Sequence, residues 1–172
     1  MKAPPSIRRE HEELHADLAR AGQMPGLLGQ TAREVARIMH PHFLREDEYA
    51  IPPLSLLARL ARGQVTPDMA EVLPLVARLK EEMPLMIEEH RVILGAVRAF
   101  ALAAESDGDE KSIRLAAELI VHAQMEEEVL YPAAILVGEF VKAKLQKCQC
   151  LSKAVMQFSS DAFALCFLIG DR

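Results

Sequence analysis

The chain has 172 residues, 51% hydrophobic and 26% charged, which describes one globular domain with enough apolar material for a core and excludes a disordered chain. Its net charge of −5 comes without a basic block, which argues against a nucleic-acid partner. No uncharged stretch approaches membrane-spanning length and the first ten residues lack the apolar run of a signal peptide, so no membrane contact and a cytoplasmic location are expected.

Leu, Ala, Met, Glu and Arg dominate, so helix is the default expectation. A first helix starts after Pro4-Pro5 with Ser6 as its N-cap. Ile7, Leu14, Leu18 and Ala21 form its apolar stripe, and His11 falls on that stripe. Gly22 to Gly26 ends it. A second helix runs from Leu27 or Thr31 to Ala50, with Val35, Ile38, His42, Glu46 and Tyr49 inward. Pro41 removes a backbone donor inside this span and predicts a kink or short break just before His42. Ile51-Pro52-Pro53 stops the helix, and Leu54 to Arg62 reads as a short extra helix closed by Gly63.

Thr66-Pro67-Asp68 is a helix start with a capping hydroxyl and proline in the first turn. Pro74 and Pro84 argue against one straight rod, so a third helix is expected from near Pro84 to Ala104, with His90, Ile93, Val97 and Ala101 inward. Ser106 to Asp109 reads as a loop. A fourth helix runs from Asp109 to Leu130 with Leu115, Leu119, His122, Glu126 and Val129 inward, is interrupted at Tyr131-Pro132, and resumes over 133–147. The expected fold is all-α: an up-down-up-down four-helix bundle over 1–147 with an internal two-fold helical-hairpin repeat. Residues 148–172 have no counterpart in the first half and hold all three cysteines, Cys148, Cys150 and Cys166. This apolar tail either packs on the bundle, binds a protein partner or a second copy, or lacks order.

Six residues recur as two triplets: His11, His42 and Glu46, then His90, His122 and Glu126, at an offset constant to within one residue. The surrounding text agrees. Glu10-His11 matches Glu89-His90, and a proline follows both His42 and His122 by ten positions, at Pro52 and Pro132. Residues four apart on a helix share a face about 6 Å apart, so His42 with Glu46, and His122 with Glu126, can aim at one point. Two carboxylates converging in a core repel each other and lose hydration, which a bound cation relieves. Six nitrogen and oxygen ligands exceed the four of one tetrahedral zinc and suit a pair of ions bridged by the carboxylates. Without sulfur the set is compatible with iron, manganese or zinc, and redox work favours iron.

A lone histidine on an apolar face is usually a hydrogen-bonded core residue, and a His-Glu pair four apart is common on exposed helices. The joint repetition on inner faces decides against that reading. His15, one turn from His11, is a further ligand candidate or an ordinary surface histidine. His40, two residues from His42, faces away from it. Glu118, Glu127 and Glu128 read as solvated, and Tyr49 as either a support for the Glu46 carboxylate or a buried structural tyrosine.

With Glu10-His11, His42-Phe-Leu-Arg-Glu46, Glu89-His90 and His122-Ala-Gln-Met-Glu126 in place, the chain resembles the hemerythrin-like (His-His-Glu, HHE) cation-binding family over roughly residues 6–147. The resemblance implies two non-haem iron ions with an oxo or hydroxo bridge, Glu46 and Glu126 as bridging carboxylates and His11, His42, His90 and His122 as terminal ligands. Oxygen-carrying members have a fifth imidazole one turn from the third-helix histidine. Here Met86 and Leu94 hold those positions, and His15 is the only spare histidine at that spacing. The departure bears on reversible oxygen carriage more than on metal binding. A ferritin-like di-iron bundle would need Glu-x-x-His on two helices, and only Glu12 with His15 fits. The expected function is to bind or sense dioxygen or nitric oxide, or to hold iron. The alternative is a di-iron enzyme that acts on peroxide or nitric oxide, or donates iron for repair of iron centres.

Overall fold

Prolines stand at the start of several of the helices and turns. The structure, a computed structural model, describes residues 2–147; the expectations for 148–172, its cysteines included, lie outside the described residues. Helix α1 (Pro5–Ala21) starts at Pro5, whose missing N–H is no loss in a first turn. Ser6 lies inside that turn and makes no capping bond. Helix α2 (Gly26–Arg45) runs through Pro41 without the expected break. Pro41 and Arg37 are both exposed, so the carbonyl freed at Arg37 can take its hydrogen bond from water.

A 3-10 turn, Pro52–Leu56, leads into the short α3 (Leu57–Ala61), and a second, Pro67–Glu71, into α4. Thr66 starts the latter without donating or accepting as a side-chain cap; its hydroxyl instead accepts from Arg59 at 2.9 Å. Helix α4 (Val72–Asp107) is one helix of 36 residues, well beyond the length expected from Pro84 onward. Pro74 is its third residue, where no intrahelical donor is required, and Pro84 sits on its exposed side. Gly108, at φ 68°, ends α4 in the left-handed region, with its own N–H and that of Asp109 donating back to Glu105 and Ala104. Asp109 then caps α5 (Glu110–Met125) by accepting from the Ser112 N–H at 3.1 Å.

The chain over 131–147 is helical again, no strand occurs among the described residues, and no described helix is long and apolar enough to cross a membrane. The all-helical expectation is met.

Helices α2 and α5 both run into a widened π turn, Glu46–Ala50 and Glu126–Leu130. In the first, the Ile51 N–H donates five residues back to the Glu46 carbonyl at 2.9 Å, and Tyr131 donates to Glu126 in the second. Pro52 and Pro132 follow directly. A proline ring clashes with the carbonyl four residues back in a regular helix, and a wider turn ahead of it relieves that clash. The interruption expected at Tyr131-Pro132 therefore begins earlier, at Glu126.

Helix α1 packs against α2 and α5, and α4 packs against the same two. Two apolar clusters fill the space between them. One contains Leu14, Phe43, Ile93 and Leu119; the other contains Tyr49, Leu79, Met86 and Tyr131, with Ile7 against it. Along α1, α2 and α4 the repeated residues fall between these clusters: His11 between Ile7 and Leu14, Glu46 between Phe43 and Tyr49, His90 between Met86 and Ile93. Beyond the second cluster, Gly138 lets the 131–147 helix approach α4 so closely that a Cβ there would lie 2.7 Å from Val76.

Candidate metal centre

Six polar side chains are buried between the two apolar layers: His11, His42, Glu46, His90, His122 and Glu126. They form two groups of four potential ligands, His11, Glu46, His122 and Glu126, and His42, Glu46, His90 and Glu126; within each, the ligand atoms lie within 4.8 Å of one another. Both carboxylates belong to both groups. Each group takes one histidine from either half of the sequence.

All four imidazoles turn Nε2 inward. His122 Nε2 lies 2.9 Å, His90 Nε2 3.2 Å and His11 Nε2 3.5 Å from Glu126, and His42 Nε2 lies 3.4 Å from Glu46. Each Nδ1 turns outward to an acidic side chain on another element: His42 to Glu89 at 2.9 Å, His90 to Glu127 at 2.8 Å, His122 to Glu10 at 3.1 Å, and His11 to Asp47 at 3.7 Å. An ionised carboxylate only accepts, so the first three contacts hold the ring proton at Nδ1 and leave Nε2 free to ligate. Arg45 also pairs with Glu89 and fixes it against His42.

Sequence reading missed these four supports; Glu127 in particular was expected to be solvated, and Glu10 and Glu89 had no role. The signal was there. Glu10 and Glu89 both precede a histidine of the two groups, and Asp47 and Glu127 both follow a shared glutamate. Tyr131 was missed as well. Its buried hydroxyl donates to Glu46 and lies 3.4 Å from His90 Nε2. Tyr49, one candidate for that role, instead donates to Glu82 at 2.8 Å, with the Met86 sulfur at 3.3 Å.

His15 stands outside both groups. It is half-buried, one turn along α1 from His11, with its ring edge-on to Phe43 at 4.9 Å and to His40 at 5.5 Å. Burial first, then His40 and His11, lower its pKa and keep it neutral. His40 is exposed, as expected. Phe43 also stacks on His11 at 4.3 Å, so this ring packs against both histidines of α1.

The donor set fits metal on its own terms. Both nitrogens of His11, Nε2 of His122, Oε2 of Glu46 and Oε1 of Glu126 are buried without a hydrogen-bond partner. Orphaned buried polar atoms are expensive, and here they converge. The Nε2 atoms of His42 and His90 face each other at 2.8 Å with their ring protons engaged elsewhere. Two ligands at right angles on one ion, each about 2.1 Å away, lie about 3 Å apart, which that separation matches.

Electrostatics describes the same cluster without a cation. Burial and then repulsion by Glu126 raise the Glu46 pKa. Burial acts upward on Glu126 too, but His11, His122 and His90 hold it well below the usual carboxylate range. Burial alone would lower His42, yet Glu46, Glu89 and Glu126 raise it to about 8; for His122, Glu126, Glu46 and Glu10 outweigh burial and raise it to about 9. Burial and then both carboxylates push Tyr131 far above its ordinary range, so it stays an O–H donor. The cluster gathers protons where a cation would otherwise balance its carboxylates. Comparison with known protein families, curated proteins and solved structures finds nothing that matches this chain.

Proposed function

We propose that this chain is a hemerythrin-like protein, a four-helix bundle of two similar hairpins that binds two non-haem irons and uses them to bind or sense dioxygen or nitric oxide, or to hold iron. The observation that supports it is the sharing of Glu46 and Glu126 between two groups of four buried ligands. Two shared carboxylates serve a pair of ions where a single ion would leave half the set idle. Six nitrogen and oxygen donors without sulfur favour iron over a closed tetrahedral zinc site.

When bound, an iron pair supplies ligation and electrons to a small diatomic molecule. The protein's part is positional. Glu10, Glu89 and Glu127 fix the ring orientations of His122, His42 and His90, and the apolar layers above and below keep bulk water out. A second reading, turnover of peroxide or nitric oxide, is favoured by Tyr131, whose buried O–H beside Glu46 and His90 would offer a hydrogen bond to a ligand held at the cluster.

Elemental analysis of protein made in iron-replete cells tests the proposal, with two irons per chain expected. One zinc per chain and no iron uptake on reconstitution would sink it. Reduction and re-exposure to oxygen then separates the readings: a reversible spectral change is expected of a binder, and steady consumption of peroxide or nitric oxide of an enzyme.

A further inference from the structure

We propose that His40 and His15 form an outer landing site for a divalent transition-metal ion on its way to His11. The inference rests on the reading of the core as a metal centre. The chain has six histidines, and these are the two that the core does not use. They come from different helices, α1 and α2, yet their rings lie edge-on at 5.5 Å between centroids. Two imidazoles bonded through nitrogen to one ion, with each nitrogen about 2.1 Å from it, need a ring separation of this order.

Three histidines thus run inward in graded exposure: His40 exposed, His15 half-buried, His11 2% exposed. His15 and His11 are one turn apart on α1, about 6 Å along its axis, a short step for an ion. His11 is also the ligand left open on its outer side. The other three ligand histidines have Nδ1 hydrogen-bonded to a carboxylate, whereas His11 Nδ1 has no hydrogen-bond partner and faces Asp47 at 3.7 Å. Asp47 is 42% exposed, so a negative charge stands between solvent and that nitrogen and attracts a cation to this side.

The pair is suited to transit and not to storage. No third ligand closes a group of three with His15 and His40 among the described residues. Two imidazoles with water completing the shell hold an ion weakly and release it. The core, with four ligands per ion and two carboxylates, holds it firmly.

The test is the rate at which metal-free protein takes up cobalt(II), followed by stopped-flow absorption, in the parent, His15→Ala and His40→Ala. Each variant should load about tenfold more slowly, the low end of what local enrichment of an ion contributes to an on-rate, and should end with the parent's metal count and visible spectrum. His40 is exposed, so its variant separates this effect from any disturbance of packing. Loading of both variants at the parent rate would overturn the proposal. A lower final count or a shifted spectrum in His15→Ala would overturn it too, by making His15 a ligand of the core. A parent that binds no cobalt would remove the metal centre itself, and the landing site with it.

Discussion

The two ligand groups share their carboxylates but differ in how their histidines are held. In the His42 and His90 group both outer nitrogens are hydrogen-bonded, at 2.9 and 2.8 Å, and Arg45 ties down the carboxylate behind His42. In the His11 and His122 group one contact is 3.1 Å and the other, at 3.7 Å, is not a hydrogen bond. A carboxylate behind an imidazole fixes its ring and raises its basicity, so the His42 and His90 position should bind metal more tightly. Identical residue types at matched positions are therefore expected to give two unequal sites. The difference lies in partners that neither triplet contains.

The largest effect should come from abolishing what the two groups have in common. Glu126 belongs to both, so Glu126→Ala should reduce the metal content from two ions to less than one per chain. Retention of both ions, by elemental analysis, would show that Glu126 is not shared.

The difference between the groups is sharpened by one pair of variants. Glu89→Gln removes the charge behind His42 and should weaken one of the two ions by about 10- to 100-fold. Asp47→Asn, behind the loosely held His11, should change equilibrium affinity little. Competition with a chelator measures both, and equal losses would mean that the asymmetry does not reach the metal.

The smallest effect is on the melting temperature, and its dependence on pH differs with and without metal. In metal-free protein His42 and His122 are raised from 6.5 to about 8 and about 9. A raised imidazole pKa stabilises the fold fully below pH 6.5, and that contribution is lost as pH climbs through 8 and 9. Metal-free protein should therefore melt at lower temperature as pH rises across this window. Metal binding expels the same protons, so metal-bound protein should gain stability relative to it over the same range. Melting curves at several pH values, with and without cobalt, report both. A melting temperature of metal-free protein that climbs from pH 6.5 to 9 would contradict the proton-gathering cluster.

The sequence by itself determined the helical class and picked out the six histidines and glutamates that the fold buries together. Helix geometry is local: His42 with Glu46, and His122 with Glu126, sit four apart, so their shared face followed without any knowledge of packing. The reach of α4 and the continuity of α2 were not legible, because the hydrogen bond a proline removes is cheaper where the freed carbonyl reaches water, and only packing places Pro84 and Pro41 outside. The supporting carboxylates were in view in the repeated text, yet each serves a histidine on another element: Glu10 reaches from α1 to His122, and Glu89 from α4 to His42. His15 was undecided for the same reason. One turn from His11 is compatible with the ligand shell or with its rim, and the packing of α1 against α2 set His15 beside His40 and Phe43. Periodicity along one helix chooses a face. Which side chain of a neighbouring helix meets that face depends on how the helices are turned and shifted against each other, and this only the tertiary structure decided.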